Sequence, residues 1–140
     1  MAIKVKNPNG LPVLQWYAKS TNILANQLIK SDTGASPVAA THTGQTILGI
    51  TLEDQDTANG IVYFYPITGQ VLEIDFDPDA TKTSFAVTDL GSLYDMVVTD
   101  GDQVLDPDDT TGGFLFLVGY NNDAHKAYVV VDAADILLSA

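Results

Sequence analysis

Apolar residues along this chain come in runs of six or seven, set apart by polar stretches with turn chemistry. The runs are PVLQWYA (12–18), QTILGI (45–50), IVYFYPI (61–67), QVLEIDF (70–76), SFAVTD (84–89), LYDMVVT (93–99), FLFLVGY (114–120) and KAYVVVD (126–132). They are rich in Val, Ile, Phe, Tyr and Thr, residues that suit a pleated, half-buried surface, and each is predicted to be a strand. Asn59-Gly60 and Asp100-Gly101 accept the positive φ values of tight hairpin turns. Thr68-Gly69 divides two further runs, and YNNDAH (120–125) is a polar connection of hairpin length. Turns recur every roughly 8 to 14 residues, which predicts an all-β fold, a small single-domain antiparallel barrel or sandwich. A parallel α/β sheet would need helices of about ten or more residues between its strands, and the runs do not alternate with such helices.

Two segments fit helix and strand about equally. STNILANQLIKS (20–31) has Asn22 as a capping residue but is read as strand, whereas DAADILLSA (132–140) opens with Asp132 and continues as helix or as kinked strand. SDTGASPVAATHTGQ (31–45) is the longest stretch of small and polar residues and reads as a loop.

The 140 residues are 46% apolar, enough for one buried core. No run of about 18 apolar residues is present and the first ten residues lack an apolar stretch, so no membrane partner is expected and synthesis is expected in the cytoplasm. Without a single Cys, the chain has neither disulfides nor thiol chemistry.

Charge is unevenly placed. All six basic residues are Lys, against sixteen Asp and two Glu, for a net charge of -12. Lacking the planar fork of Arg and carrying an acidic field, the chain is not expected to bind nucleic acid. Residues 1–30 hold Lys4, Lys6, Lys19 and Lys30 and no acid; residues 31–140 hold only Lys82 and Lys126 against all eighteen acids. The chain therefore divides into a basic, extended N-terminal arm with the first strands (1–30) and an acidic β body (31–140), within one domain. Such an arm suits an acidic neighbour or its own body; the plain alternative is four lysines that solvate a strand.

Candidate chemistry is sparse. His42 and His125 lie outside any metal or nucleophile motif, and no phosphate-binding glycine loop or cofactor fingerprint occurs, so no catalytic residue, metal or cofactor is assigned. Asp75, Asp77 and Asp79 alternate as in a calcium-binding helix–loop–helix, but Ala80 and Ala86 replace its turn Gly and bidentate Glu. Asp100, Asp102, Asp106, Asp108 and Asp109 form a second oxygen-rich stretch. The hinge TLEDQDTANG (51–60) reads as a solvent-facing acidic hairpin connection. Trp16, Tyr17, Tyr63 and Tyr65 suit either a core or a sugar-binding face.

The order ATHTGQTILGITLEDQDTANGIVYFYPITGQVLEI resembles the central signature of bacteriophage capsid cement (head decoration) proteins, matching at Leu48-Gly49-Ile50, Glu53-Asp54, Ala58 and Gly60. The stretch GSLYDMVVTDGDQVLDPDDTTGGFLFLVGYNNDAHKAYVVV is similar to barrel hairpins of phage head proteins, so the resemblance spans about residues 38–131. It differs where the family often has Gly-Glu after the hinge, since Gly60-Ile61 stands here. The resemblance implies a non-catalytic virion protein on the capsid exterior that joins subunits of the major capsid protein, as a homo-oligomer, a trimer ahead of a dimer. Lys4, Lys6, Trp16, Tyr17, Lys19 and Lys30 are then the expected contacts with the shell or a neighbouring protomer. The alternative is a virion or cell-surface glycan-binding β module, with or without Ca²⁺.

Overall fold

The computed structural model describes residues 3–6, 8, 10–17, 23–31, 37–39, 47–55, 60–67, 69–111 and 113–132. Eleven strands are present among them: β1 (Lys4–Val5), β2 (Leu14–Tyr17), β3 (Leu28–Ser31), β4 (Pro37–Ala39), β5 (Ile47–Thr51) and β6 (Ile61–Pro66). Then follow β7 (Leu72–Asp75), β8 (Leu93–Thr99), β9 (Asp102–Asp106), β10 (Leu115–Asn121) and β11 (Lys126–Val131). They form two antiparallel sheets, a six-stranded one in the order β1-β7-β11-β10-β8-β9 and a five-stranded one in the order β2-β6-β5-β3-β4. The fold is all-β, as the apolar pattern predicts.

The six-stranded sheet curls on itself. Phe76 bridges Leu105 in parallel, and the Asp77 N–H donates to the Leu105 carbonyl at 2.8 Å, which brings β9 back alongside the end of β7. Its inward residues, among them Leu72, Ile74, Leu115, Leu117, Ala127, Val129 and Val131, pack in one cluster with Leu28, Ile47, Ile50 and Ile67 of the other sheet and its flank. The five-stranded sheet buries its opposite face too, through Ile29, Val62 and Phe64 with Ile23. Phe64 takes its place because Gly49 has no side chain: a Cβ there would stand 2.1 Å from the Tyr65 carbonyl oxygen and 2.7 Å from the Phe64 ring. Alternation along β6 holds, with Val62 and Phe64 buried and Tyr63 and Tyr65 half-buried.

The two sheets are joined by a side chain acting as a peptide. Gln103 of β9, 5% exposed, accepts from the Leu28 N–H at 2.8 Å and donates from its amide to the Leu28 carbonyl at 2.9 Å. Among the described residues β4 pairs with β3 from Ile29 onward, and the Gln103 amide takes both backbone groups of Leu28 just before that point.

Several expectations require correction. Residues 84–89 are not a strand: Val87–Asp89 is a 3-10 turn. Local side-chain bonds outcompete a ladder there, because Asp89 accepts from the Ala86 N–H at 2.7 Å and the Asn122 amide takes both backbone groups of Phe85. The acidic stretch after Asp100-Gly101 contains a strand, β9, whose central Gln103, Val104 and Leu105 are buried. Asp100 and Gly101 turn with φ of 52° and 83°, as the dipeptide predicts. Gly69, with φ of 69°, stands between β6 and β7, which lie in different sheets. Strand β4 falls inside the predicted loop, and among the described residues of segment 20–31 only Leu28–Ser31 is strand, after a turn where Asn26 has φ 59°. Residues 133–140 lie outside the described residues.

Candidate interaction surface

In an antiparallel sheet with water on one side, outward positions are normally polar. Strand β10 departs from this: Leu115 and Leu117 point inward, and the intervening Phe116 and the following Val118 are about two-fifths exposed. The register sets Phe116 opposite Val130 of β11 and opposite Leu93 of β8, making one apolar row across three strands. Val118 continues the outward alternation and sits where the register with β11 shifts between Leu117 and Gly119. At one end, Gly91 donates to the Leu117 carbonyl at 2.8 Å, the Phe116 ring tip comes within 3.9 Å of where a Gly91 Cβ would be, and Leu90 beside it is exposed. At the other, Tyr128 of β11 stands opposite Glu73 of β7, with the Lys6 ammonium 5.0 Å above its ring.

The predicted contact residues are distributed over both sheets. Lys4 and Lys6 are exposed on and just after β1, at an edge of the six-stranded sheet. Lys4 pairs across from Glu73 and lines a groove of about 320 Å³ with Ile3, Val5, Leu52 and Tyr65. Trp16 and Tyr17 belong to β2, at an edge of the five-stranded sheet opposite Val62 and Ile61. Lys30, half-buried, lies three strands away on β3, roughly 14 Å at the usual strand spacing. Lys19 is outside the described residues. The leader is woven into the body: Ile3 is buried in the shared core, and its N–H donates to the Asn26 carbonyl at 3.2 Å.

The acidic stretches cap turns. Asp108 accepts from the Thr81 and Lys82 N–H groups at 2.7 and 2.9 Å, Asp77 from the Asp79 N–H and the Thr99 hydroxyl, and Asp109 from the Thr111 N–H. Among the described residues no three His, Asp or Glu side chains gather as a metal-holding group. Asp106 faces Asp95 across β8 and β9; burial pushes its carboxyl above the ordinary value, with the charges of Asp108, Asp109 and Asp77 adding to the effect. Asp89 is held below the ordinary value by its hydrogen bond from Lys82 at 2.7 Å, and then by the Ala86 N–H.

The hinge after β5 is a clasp rather than a free connection. Glu53 and Asp54 are exposed, but Asp54 accepts from the Ala25 N–H at 2.9 Å, and the buried Gln55 binds both backbone groups of Ile23. Buried Thr51 donates to the Leu24 carbonyl at 2.6 Å and accepts from the Gln27 N–H at 2.9 Å. Asp56 lies outside the described residues.

The sequence reading missed the apolar row of Leu93, Phe116 and Val130 with Val118. The signal lay in FLFLVGY, which is apolar at both parities although it belongs to an antiparallel hairpin. No model of a known protein family matches the chain, and no curated protein matches it.

Proposed function

We propose that this chain is a structural virion protein that binds the outside of an assembled phage capsid and joins neighbouring major capsid subunits. The apolar row of Leu93, Phe116 and Val130, extended by Val118, carries the reading, because an exposed apolar surface of this kind on an otherwise strongly acidic chain fits a protein partner. The resemblance to capsid cement proteins supplies the identity of that partner. Binding only the assembled shell stabilises it by mass action, with no chemistry required. Lys4 and Lys6, at the sheet edge, supply electrostatic contacts beside the row.

The test is co-sedimentation with a panel of undecorated phage shells, with light scattering for the oligomeric state. A trimer that saturates one shell type at fixed stoichiometry and raises its melting temperature is expected. Phe116→Asp with Val118→Lys leaves the fold intact by circular dichroism and abolishes binding, and the wild-type interaction weakens little between 50 and 500 mM salt. Full occupancy by the double variant refutes the role of the row. Loss of binding with salt, or on Lys4→Glu with Lys6→Glu, transfers it to the basic leader.

A further inference from the structure

We infer that the free edge of β2 pairs with β2 of a second copy of this chain, antiparallel across a two-fold axis centred on Gln15. β2 ends the five-stranded sheet, with β6 as its neighbour, and its register sets Gln15 opposite Tyr63. The Tyr63 carbonyl is turned the other way, toward β5, where it accepts from the Leu52 N–H at 3.0 Å. In an antiparallel ladder, residues opposite each other exchange both backbone bonds or neither, so Gln15 directs its N–H and carbonyl away from β6. Tyr17, two residues on, does the same, while Leu14 and Trp16 serve β6. Gln15 is exposed and Val13 is 53% exposed, so among the described residues this edge is uncovered.

Sheet edges recruit other strands unless charge, proline, shortness or a covering segment blunts them. The other three edges are blunted in these ways. β1 is two residues long and begins with Lys4, and β4 begins with Pro37. β9 carries Asp102 and Asp106, and its Leu105 carbonyl is taken by the Asp77 N–H. The four residues of β2, LQWY, have no such device, and Pro12 before them has the parity of Leu14, so it removes no outward donor.

The sequence of the edge selects the occupant. Two copies of VLQWY (13–17) laid antiparallel about Gln15 set Val13 opposite Tyr17, Leu14 opposite Trp16 and Gln15 opposite itself. Apart from the central amides, every pair across the axis is aliphatic with aromatic, a favourable cross-strand combination. Charge agrees with this. The net charge of -12 drives copies apart, but residues 11–18 and β6 contain no charged residue, so two copies meet here with the least repulsion. The contact joins copies in pairs, and where those copies are trimers it links one trimer to the next. It lies on the sheet that does not carry the apolar row, so it leaves that row free and does not rest on the capsid reading.

The test uses the full chain, which contains no Cys. Gln15→Cys places a thiol on the axis, where opposite residues that exchange backbone bonds have Cα atoms about 5.5 Å apart, within disulfide reach. Under mild oxidation, a two-chain species is expected to form at least about tenfold faster than from Val13→Cys, which is also exposed but off the axis. In the wild type, the Gln15 and Tyr17 amides are expected to resist hydrogen exchange at about 1 mM and to lose that protection on dilution, as a small interface dissociates, while Leu14 and Trp16 keep theirs. Equal cross-linking at positions 13 and 15, or Gln15 and Tyr17 amides that exchange freely at every concentration, overturns the proposal. Protection of those two amides only when phage shells are added overturns it as well, and gives the edge to a strand of the shell protein.

Discussion

Replacing Gln103 by Leu removes the amide that ties β9 to β3 while keeping side-chain volume nearly constant. The Leu28 N–H and carbonyl lose bonds of 2.8 and 2.9 Å in a place where Leu28 is fully buried and β4 has not yet begun to pair. Each buried backbone group left without a partner costs about 1–3 kcal/mol. The added apolar burial of Leu returns about 1–2 kcal/mol. The net loss for the two groups is then about 1–4 kcal/mol. With a urea m-value of about 2 kcal/mol/M, the midpoint falls by about 0.5–2 M at unchanged slope.

Urea denaturation followed by Trp16 fluorescence measures that midpoint, and native-state hydrogen exchange of the Leu28 amide supplies a local readout. Gln103→Leu should accelerate that exchange by more than the global loss of stability explains, because the donor itself is freed. A midpoint shift equivalent to less than about 1 kcal/mol, with Leu28 still protected, would refute the account and imply that the sheets hold together by apolar packing alone.

Gly49→Ala should cost about 2–4 kcal/mol in the same urea assay, since its methyl meets the Tyr65 carbonyl and the Phe64 ring in a packed strand pair. Lys126→Met should cost more than Lys126→Met with Asp75→Asn, because the single change leaves a buried carboxylate with no partner and the double change leaves no charge. The two perturbed carboxyls predict opposite pH dependences. Asp89, lowered from 3.8, contributes stability that is present above its unfolded value and lost as pH falls through its folded one, so the deficit of Asp89→Asn seen at pH 7 shrinks in strong acid. Asp106, raised from 3.8, opposes folding at neutral pH and is relieved as pH falls through its folded value, so Asp106→Asn is the more stable at pH 7 and loses that advantage as pH falls to the unfolded value of 3.8.

Strands whose neighbours are close in sequence were legible, because alternation and turn dipeptides are local signals. Strand β8 matches LYDMVVT end to end, and Asp100-Gly101 turns as its composition predicts. Strand β9 was hidden because Asp102 and Asp106 bracket its apolar centre, and an acidic count masks three buried residues between them. Residues 84–89 have strand composition, but the bonds that bend them come from Asp89 and from Asn122, 37 positions away for Phe85. The same distance problem hid the candidate surface. Only the register of Phe116 against Val130 and Leu93 turns three scattered apolar residues into one row, and only that register sets Asp75 beside Lys126.

That register also changes what the lysines do. Read as a string, the chain offers a basic leader and an acidic body, and electrostatic attraction to a shell follows naturally. In the fold, Lys126 is held by Asp75, Lys82 by Asp89, and Lys6 lies over Tyr128, so three of the five described lysines have partners within the chain. Exchanging such a contact for an intermolecular one adds little affinity, since each new contact replaces an existing one. The apolar row has no such internal competitor, and burying Phe116, Val118 and Val130 against a partner adds stabilisation that salt does not screen. Under the proposed function, the lysines nearest the row would therefore set orientation and encounter, while the row would supply the affinity.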